Sequence, residues 1–94
     1  MANNLDFSIL KSAYITQAEF AKIAKVSRIT VNNWANGYTS PHSFIHGRVT
    51  KLLQCIRLGV REGKLPVDGN LKGKHKLQAL SKVIANYVVR VDKK

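Results

Sequence analysis

Acidic residues are scarce in this chain: five Asp and Glu stand against sixteen Lys and Arg, for a formal net charge of +11. So few carboxylates leave little material for general acid–base catalysis or a carboxylate metal cage. Aromatics make up 7% of the 94 residues, and Gly (six) and Pro (two) are sparse, a composition that favours helices. The single cysteine, Cys55, excludes an intrachain disulfide framework and fits a reducing cytoplasm. No apolar run approaches membrane-spanning length. The opening MANNLDFSIL has no basic segment followed by a long apolar one, so no signal peptide is expected. Internal repeats and low-complexity segments are also missing.

What is present fits one small domain over residues 1–94, with 45% hydrophobic content, enough to exclude wholesale disorder. A core of this size is marginal, and a partner subunit would help it. The charge points to a polyanionic partner, and its distribution is uneven. Residues 1–40 carry four Lys/Arg against two acids, a net of +2; residues 41–94 carry twelve against three, a net of +9.

Apolar spacing predicts five helices and no strand, hence an all-α fold. Leu5, Ile9 and Ala13 share a face, which predicts a first helix over 5–13 capped by Asn4. Thr16-Gln17-Ala18-Glu19 is a capping box that opens a second helix over 17–24. Ser27 caps a third helix over 28–36, with Val31 and Trp34 turned inward, Ala35 beside them and Gly37 ending it. After a loop broken by Pro41, Ile45, Val49, Leu52, Leu53, Ile56 and Val60 predict a fourth helix over 44–62, ended by Gly63 and Pro66. A turn-rich loop follows. Leu77, Leu80, Val83, Ile84, Tyr87, Val88 and Val91 then predict an amphipathic fifth helix over 74–91. Lys93 and Lys94 are expected to fray.

The stretch from Thr16 to Gly37, TQAEFAKIAKVSRITVNNWANG, organises the rest. Two helices meeting at a steep angle need a small residue at the contact, which suits Ala21. They need an apolar plug in the turn, which suits Val26. With Val31 and Trp34 inward, Arg28, Ile29, Asn32 and Asn33 are left on the outward face near the helix start. That end of such a helix is the part that enters the major groove. Arg grips guanine bidentately, Asn does the same with adenine, and Ile29 offers an apolar contact to a thymine methyl. Two plainer readings stand beside this one: Arg28, Asn32 and Asn33 as a solvated face, and Ile29 as packing under the first helix.

These residues resemble the helix-turn-helix of the Cro and phage-repressor family, roughly T-Q-x-E-x-A-x-x-x-G-V-S-x-x-x-V-x-x-W-x-x-G. The match falls at Thr16, Gln17, Glu19, Ala21, Val26, Ser27, Val31, Trp34 and Gly37, with Pro41 following. It departs at Lys25, where the family has Gly; a left-handed Lys there carries strain of ~1 kcal/mol. The resemblance spans about residues 5 to 60 and implies a lambda-repressor-like fold. It implies that Gln17 holds a DNA phosphate, that Arg28, Ile29, Asn32 and Asn33 face bases, and that Asn36, Tyr38 and Ser40 meet the backbone. It also implies dimers acting on palindromic sites, usually as repressors.

Ser27, His42, Arg48 and Lys51 complete the expected backbone-contacting set. Arg57, Arg61 and the lysines from Lys72 to Lys82 are consistent either with flanking DNA or with solubility alone. His42 and His46 stand four apart, but no Cys or carboxylate joins them at metal-ligand spacing, so no metal site is expected. Cys55 is expected to be a packed thiol, since no base partner accompanies it. No glycine-rich phosphate loop and no nucleophile–base constellation is visible. Neither an enzyme, a cofactor nor a small-molecule substrate is therefore expected.

The expected function is a sequence-specific, double-stranded-DNA-binding transcriptional regulator. It is a homodimeric repressor located in the cytoplasm and, when bound, on the nucleoid. The fifth helix is expected to serve the core along one edge and a dimer seam along the other. The alternatives are an antitoxin-like or adaptor protein that binds a partner and autoregulates through the motif, and an RNA-binding or sequence-neutral nucleoid protein. A membrane-surface role for residues 74–91 is disfavoured by the few aromatics available to anchor them.

Overall fold

The computed structural model describes residues 5–92. The predicted cap at Asn4 and the fraying Lys93 and Lys94 lie outside the described residues. Five helices follow one another: α1 (Ile9–Ser12), α2 (Gln17–Ala24), α3 (Arg28–Ala35), α4 (Ser43–Arg61) and α5 (Gly73–Asp92). Among the described residues there is no strand.

The first helix is shorter than its periodicity predicts. Asp6 accepts hydrogen bonds from both the backbone N–H and the hydroxyl of Ser8, so the chain makes a side-chain-closed turn where helix was expected. Short polar side chains compete with the helix ladder in this way. Only one helical turn follows, and Leu10 and Ala13 are its buried residues, with Leu5 and Ile9 half-buried. Phe7 still reaches the core, edge-on to Phe20 at 6.0 Å and tilted against Trp34 at 6.3 Å.

The second helix begins as its capping box dictates. Glu19 N–H donates to Thr16 Oγ1 at 3.1 Å, and Thr16 N–H donates to Glu19 Oε1 at 2.9 Å. It ends at Lys25, which is left-handed (φ 62°, ψ 44°), while Val26 N–H closes the turn onto the Ala21 carbonyl at 2.9 Å. The third helix is capped by Ser27, whose Oγ accepts from Thr30 N–H at 3.1 Å. It ends one residue earlier than predicted, with Asn36 as cap and Gly37 at φ 78° beyond it. A positive φ there suits glycine, which has no Cβ to clash.

Phe20, Ala21, Ala24, Val31 and Trp34 face a buried set from α4: Val49, Leu52, Leu53, Cys55 and Ile56. Ala35, beside the inward pair and the last residue of α3, is exposed. The fifth helix closes the core with Leu80, Ile84 and Tyr87, packing against α4 and α2. Leu65, in the stretch predicted only as loop, is also buried. The loop folds back so that Lys64 and Leu65 N–H groups both donate to the Gly59 carbonyl, at 2.8 and 3.1 Å. A Cβ on Gly59 would stand 2.7 Å from Leu65 Cδ1, so this glycine makes room for the chain's return.

The end of α4 is tied to α5 by Glu62. Arg90 donates to both of its oxygens, at 2.9 and 3.2 Å, and Tyr87 Oη donates at 2.8 Å. The Arg90 guanidinium also lies 5.1 Å from the centre of the Tyr87 ring. These donors, Arg90 first and Tyr87 second, hold the Glu62 carboxyl below the usual glutamate range.

Two stability predictions follow from this geometry. Lys25→Gly is expected to stabilise the domain by about 1 kcal/mol in chemical denaturation, by relieving the left-handed backbone; an unchanged or lower midpoint would contradict that strain. The Glu62 contribution is present above the ordinary glutamate pKa and is lost as pH falls through its depressed folded value. Glu62→Gln is therefore expected to melt below wild type at neutral pH, with the gap closing on acidification. A pH-independent gap would contradict the charged contacts.

Candidate nucleic-acid interface

Burial of Val31 and Trp34 decides which way α3 faces. With those two at 0% and 5% exposure, Arg28 and Ile29 stand in solvent, Ile29 at 68%. Asn32 and Asn33 are half-buried on the flanks. Ile29 therefore does not pack under the first helix. Asn36 Nδ2 donates to Asn32 Oδ1 at 3.3 Å, so the Asn32 amide oxygen is engaged and its N–H groups are what it can donate. The first turn of α3 holds no acid, so nothing on it repels an anion.

The other expected contacts fall into two groups. Gln17 and Asn36 line one depression together with Lys11, Thr16 and Ala35, where the start of α2 meets the end of α3. Lys11 was not among the predicted residues; its helix is too short for its register to be read from periodicity. The second group surrounds the loop after α3. Tyr38 is 75% exposed, its N–H donating to the Asn33 carbonyl at 2.9 Å, and Ser40 is exposed beside it. His42 precedes α4 and accepts through its carbonyl from Ile45 and His46, both at 2.8 Å. Its ring stacks on Phe44 at 5.7 Å and 7°. Phe44 is 91% exposed, an aromatic the apolar stripe of α4 leaves on the outside.

Two predicted contacts also have structural work. Ser27 Oγ is engaged by Thr30, through its N–H and, at 2.8 Å, its hydroxyl. Arg48 donates to the Ala24 carbonyl, fastening α4 to the end of α2 in the last-turn position where a cation complements a helix. The rest of its exposed guanidinium remains available. Lys51 is half-buried in the next turn. Further from the motif, Arg57 lies 3.9 Å from Asp6, a wide and exposed pair worth little by itself.

Among the described residues no group of three or more His, Cys, Asp or Glu is gathered to hold a metal. His46 instead places Nδ1 3.5 Å from Thr50 Oγ1. Cys55 is fully buried among apolar neighbours. No helix among the described residues is long and apolar enough to cross a membrane.

Comparison with known proteins agrees with this geometry. Residues 8–45 match the family model described as Helix-turn-helix, which takes in α1, α2, α3 and the first residues of α4. The match stops short of the span to about residue 60 that the resemblance suggested, so most of α4 and all of α5 lie outside it. Neither a curated protein nor a solved structure matches the chain. An exposed α3 face, a capped turn between α2 and α3 and this match converge: residues 8–45 are similar to the helix-turn-helix family, with α2, the turn at Lys25 and α3 as the two helices and the turn.

Proposed function

We propose that the chain is a sequence-specific transcriptional regulator that reads the major groove of double-stranded DNA, as a dimeric repressor on a palindromic operator. The observation that carries the reading is the exposure of Ile29, at 68%, beside Arg28 on the first turn of α3. An isoleucine held out in water there, with Val31 and Trp34 buried behind it, suits an apolar contact in the groove. In this reading Arg28 grips guanine and Asn33 an adenine edge. Asn32, its oxygen engaged by Asn36, presents amide donors to acceptor atoms of the bases.

The backbone grip is assigned to the surrounding ring: Gln17 and Asn36 in one depression, Ser27 at the start of α3, Tyr38, Ser40 and His42 in the following loop, and Arg48 and Lys51 on α4. Such contacts fix register and weaken with salt, and carry no sequence information. The two functions reside on different side chains and are separable.

Dimerisation is proposed on length. The eight residues of α3 span only about 12 Å, room for a few base pairs, and a second copy doubles the readout. The buried part of the α5 stripe belongs to the monomer core through Leu80, Ile84 and Tyr87. That use of the stripe leaves less apolar surface both for the dimer seam expected on α5 and for the alternative of a partner-binding adaptor helix.

Arg28→Ala or Asn33→Ala is expected to lose about 1–3 kcal/mol on the preferred site and little on random duplex. Titration of both duplexes with each variant measures this, and equal losses on the two would refute base reading by these residues.

A further inference from the structure

The start of α2 contains an electrostatic conflict. The proposed function asks it to hold a DNA phosphate beside Gln17, which the exposed amides and the dipole of a helix N-terminus favour. Yet Glu19 stands in the same turn, its carboxylate bent back over that end so that Oε1 accepts from Thr16 N–H at 2.9 Å. A carboxylate there complements the dipole itself and repels a second anion.

A residue from far along the chain offsets this. Lys76, on α5, places Nζ 3.1 Å from the same Glu19 Oε1 and donates to the Tyr14 carbonyl at 2.8 Å. Both side chains are sheltered, at 21% and 19% exposure, so the pair is screened less than an open surface pair. Tyr14 is the residue that turns the chain between α1 and α2, at φ 55°. One ammonium thus holds the corner that leads into α2 and cancels the charge of its capping carboxylate. Lys22 and Lys74 line a depression with Glu19 itself, Ala18 and Leu77, and add positive charge around that carboxylate.

We infer that Lys76 is a positioning residue for DNA binding: by neutralising Glu19, it makes the start of α2 fit to receive a backbone phosphate. The inference rests on the proposed DNA-binding reading. It gives α5, outside the family-matched residues, control over affinity through Glu19, without a DNA contact of its own. Since a phosphate carries no sequence information, the effect falls equally on preferred and random duplexes.

The test is a double-mutant cycle on the full chain, read as affinity for a labelled random-sequence duplex at fixed salt, with each variant assayed below its melting temperature. Glu19→Gln keeps the capping box, which accepts either residue, and removes the charge. Lys76→Met is expected to weaken binding about five- to tenfold, from one uncompensated charge near the phosphate. In the Glu19→Gln background the same change is expected to weaken it by less than about twofold. Lys76→Arg is expected to bind like wild type.

An undiminished loss in the Glu19→Gln background would overturn the inference, because Lys76 would then be touching DNA or acting through the fold alone. Unchanged affinity of Lys76→Met would overturn it as well. Glu19→Gln alone is expected to bind as tightly as wild type or tighter, and weaker binding by that variant is contrary evidence even if Lys76→Met does not fold. If the wild-type chain binds no duplex, the proposed function fails instead.

Discussion

The packing of α3 against α2 is the constraint on which the rest depends. Val31 and Trp34 are buried in one cluster with Phe20 and Ala21, and α2 and α3 pack on each other. Burying side chains of this kind contributes roughly 1.5–3 kcal/mol each, more than any exposed polar contact on α3 offsets. Once those two positions are inward, helical geometry puts Arg28 and Ile29 outward. The turn between the helices is then short enough to need a left-handed residue, and Lys25 adopts that conformation despite its side chain. The outward face of α3 is therefore a consequence of core packing, and its chemistry is free to vary without disturbing the fold.

Charge is organised on a second level. Three of the acids are committed to ion pairs, Asp6 with Arg57, Glu19 with Lys76 and Glu62 with Arg90. Asp68 closes its own turn by accepting from Asn70 N–H at 2.9 Å. Most of the basic excess thus has no acid to meet, and it is concentrated beyond residue 40. A field of that sign raises the local concentration of any polyanion and speeds encounter. In the proposed function identity and attraction fall to different parts of the chain, α3 for the first and the C-terminal half for the second.

Helices α2 to α5 were legible in the sequence to within a residue or so because their signals are local: a capping box at Thr16 and Glu19, a cap at Ser27, positive-φ glycines at 37 and 63 and a steady apolar stripe. The first helix is shorter than its apolar spacing predicts because that spacing persists through a turn that Asp6 and Ser8 close instead. Leu65 and Lys76 were not legible, one an apolar residue in a turn-rich loop and the other a lysine outside an apolar stripe. Both roles arise only when α5 folds back onto α4 and α2, placing partners 62 residues apart in hydrogen-bonding range at Tyr14 and Lys76. For the candidate site, the outward position of Arg28 and Ile29 follows from the inward pair. The shared depression of Lys11, Gln17 and Asn36 needed the tertiary structure.

The central claim is that α3 reads sequence while the surrounding residues grip DNA without regard to it. Selection of bound sites from a random duplex library by the wild-type chain tests this most directly. One enriched motif built of two inverted half-sites, about one helical turn of DNA between their centres, is expected. Recovery of sequences indistinguishable from the input library, with retention governed by salt alone, would contradict it.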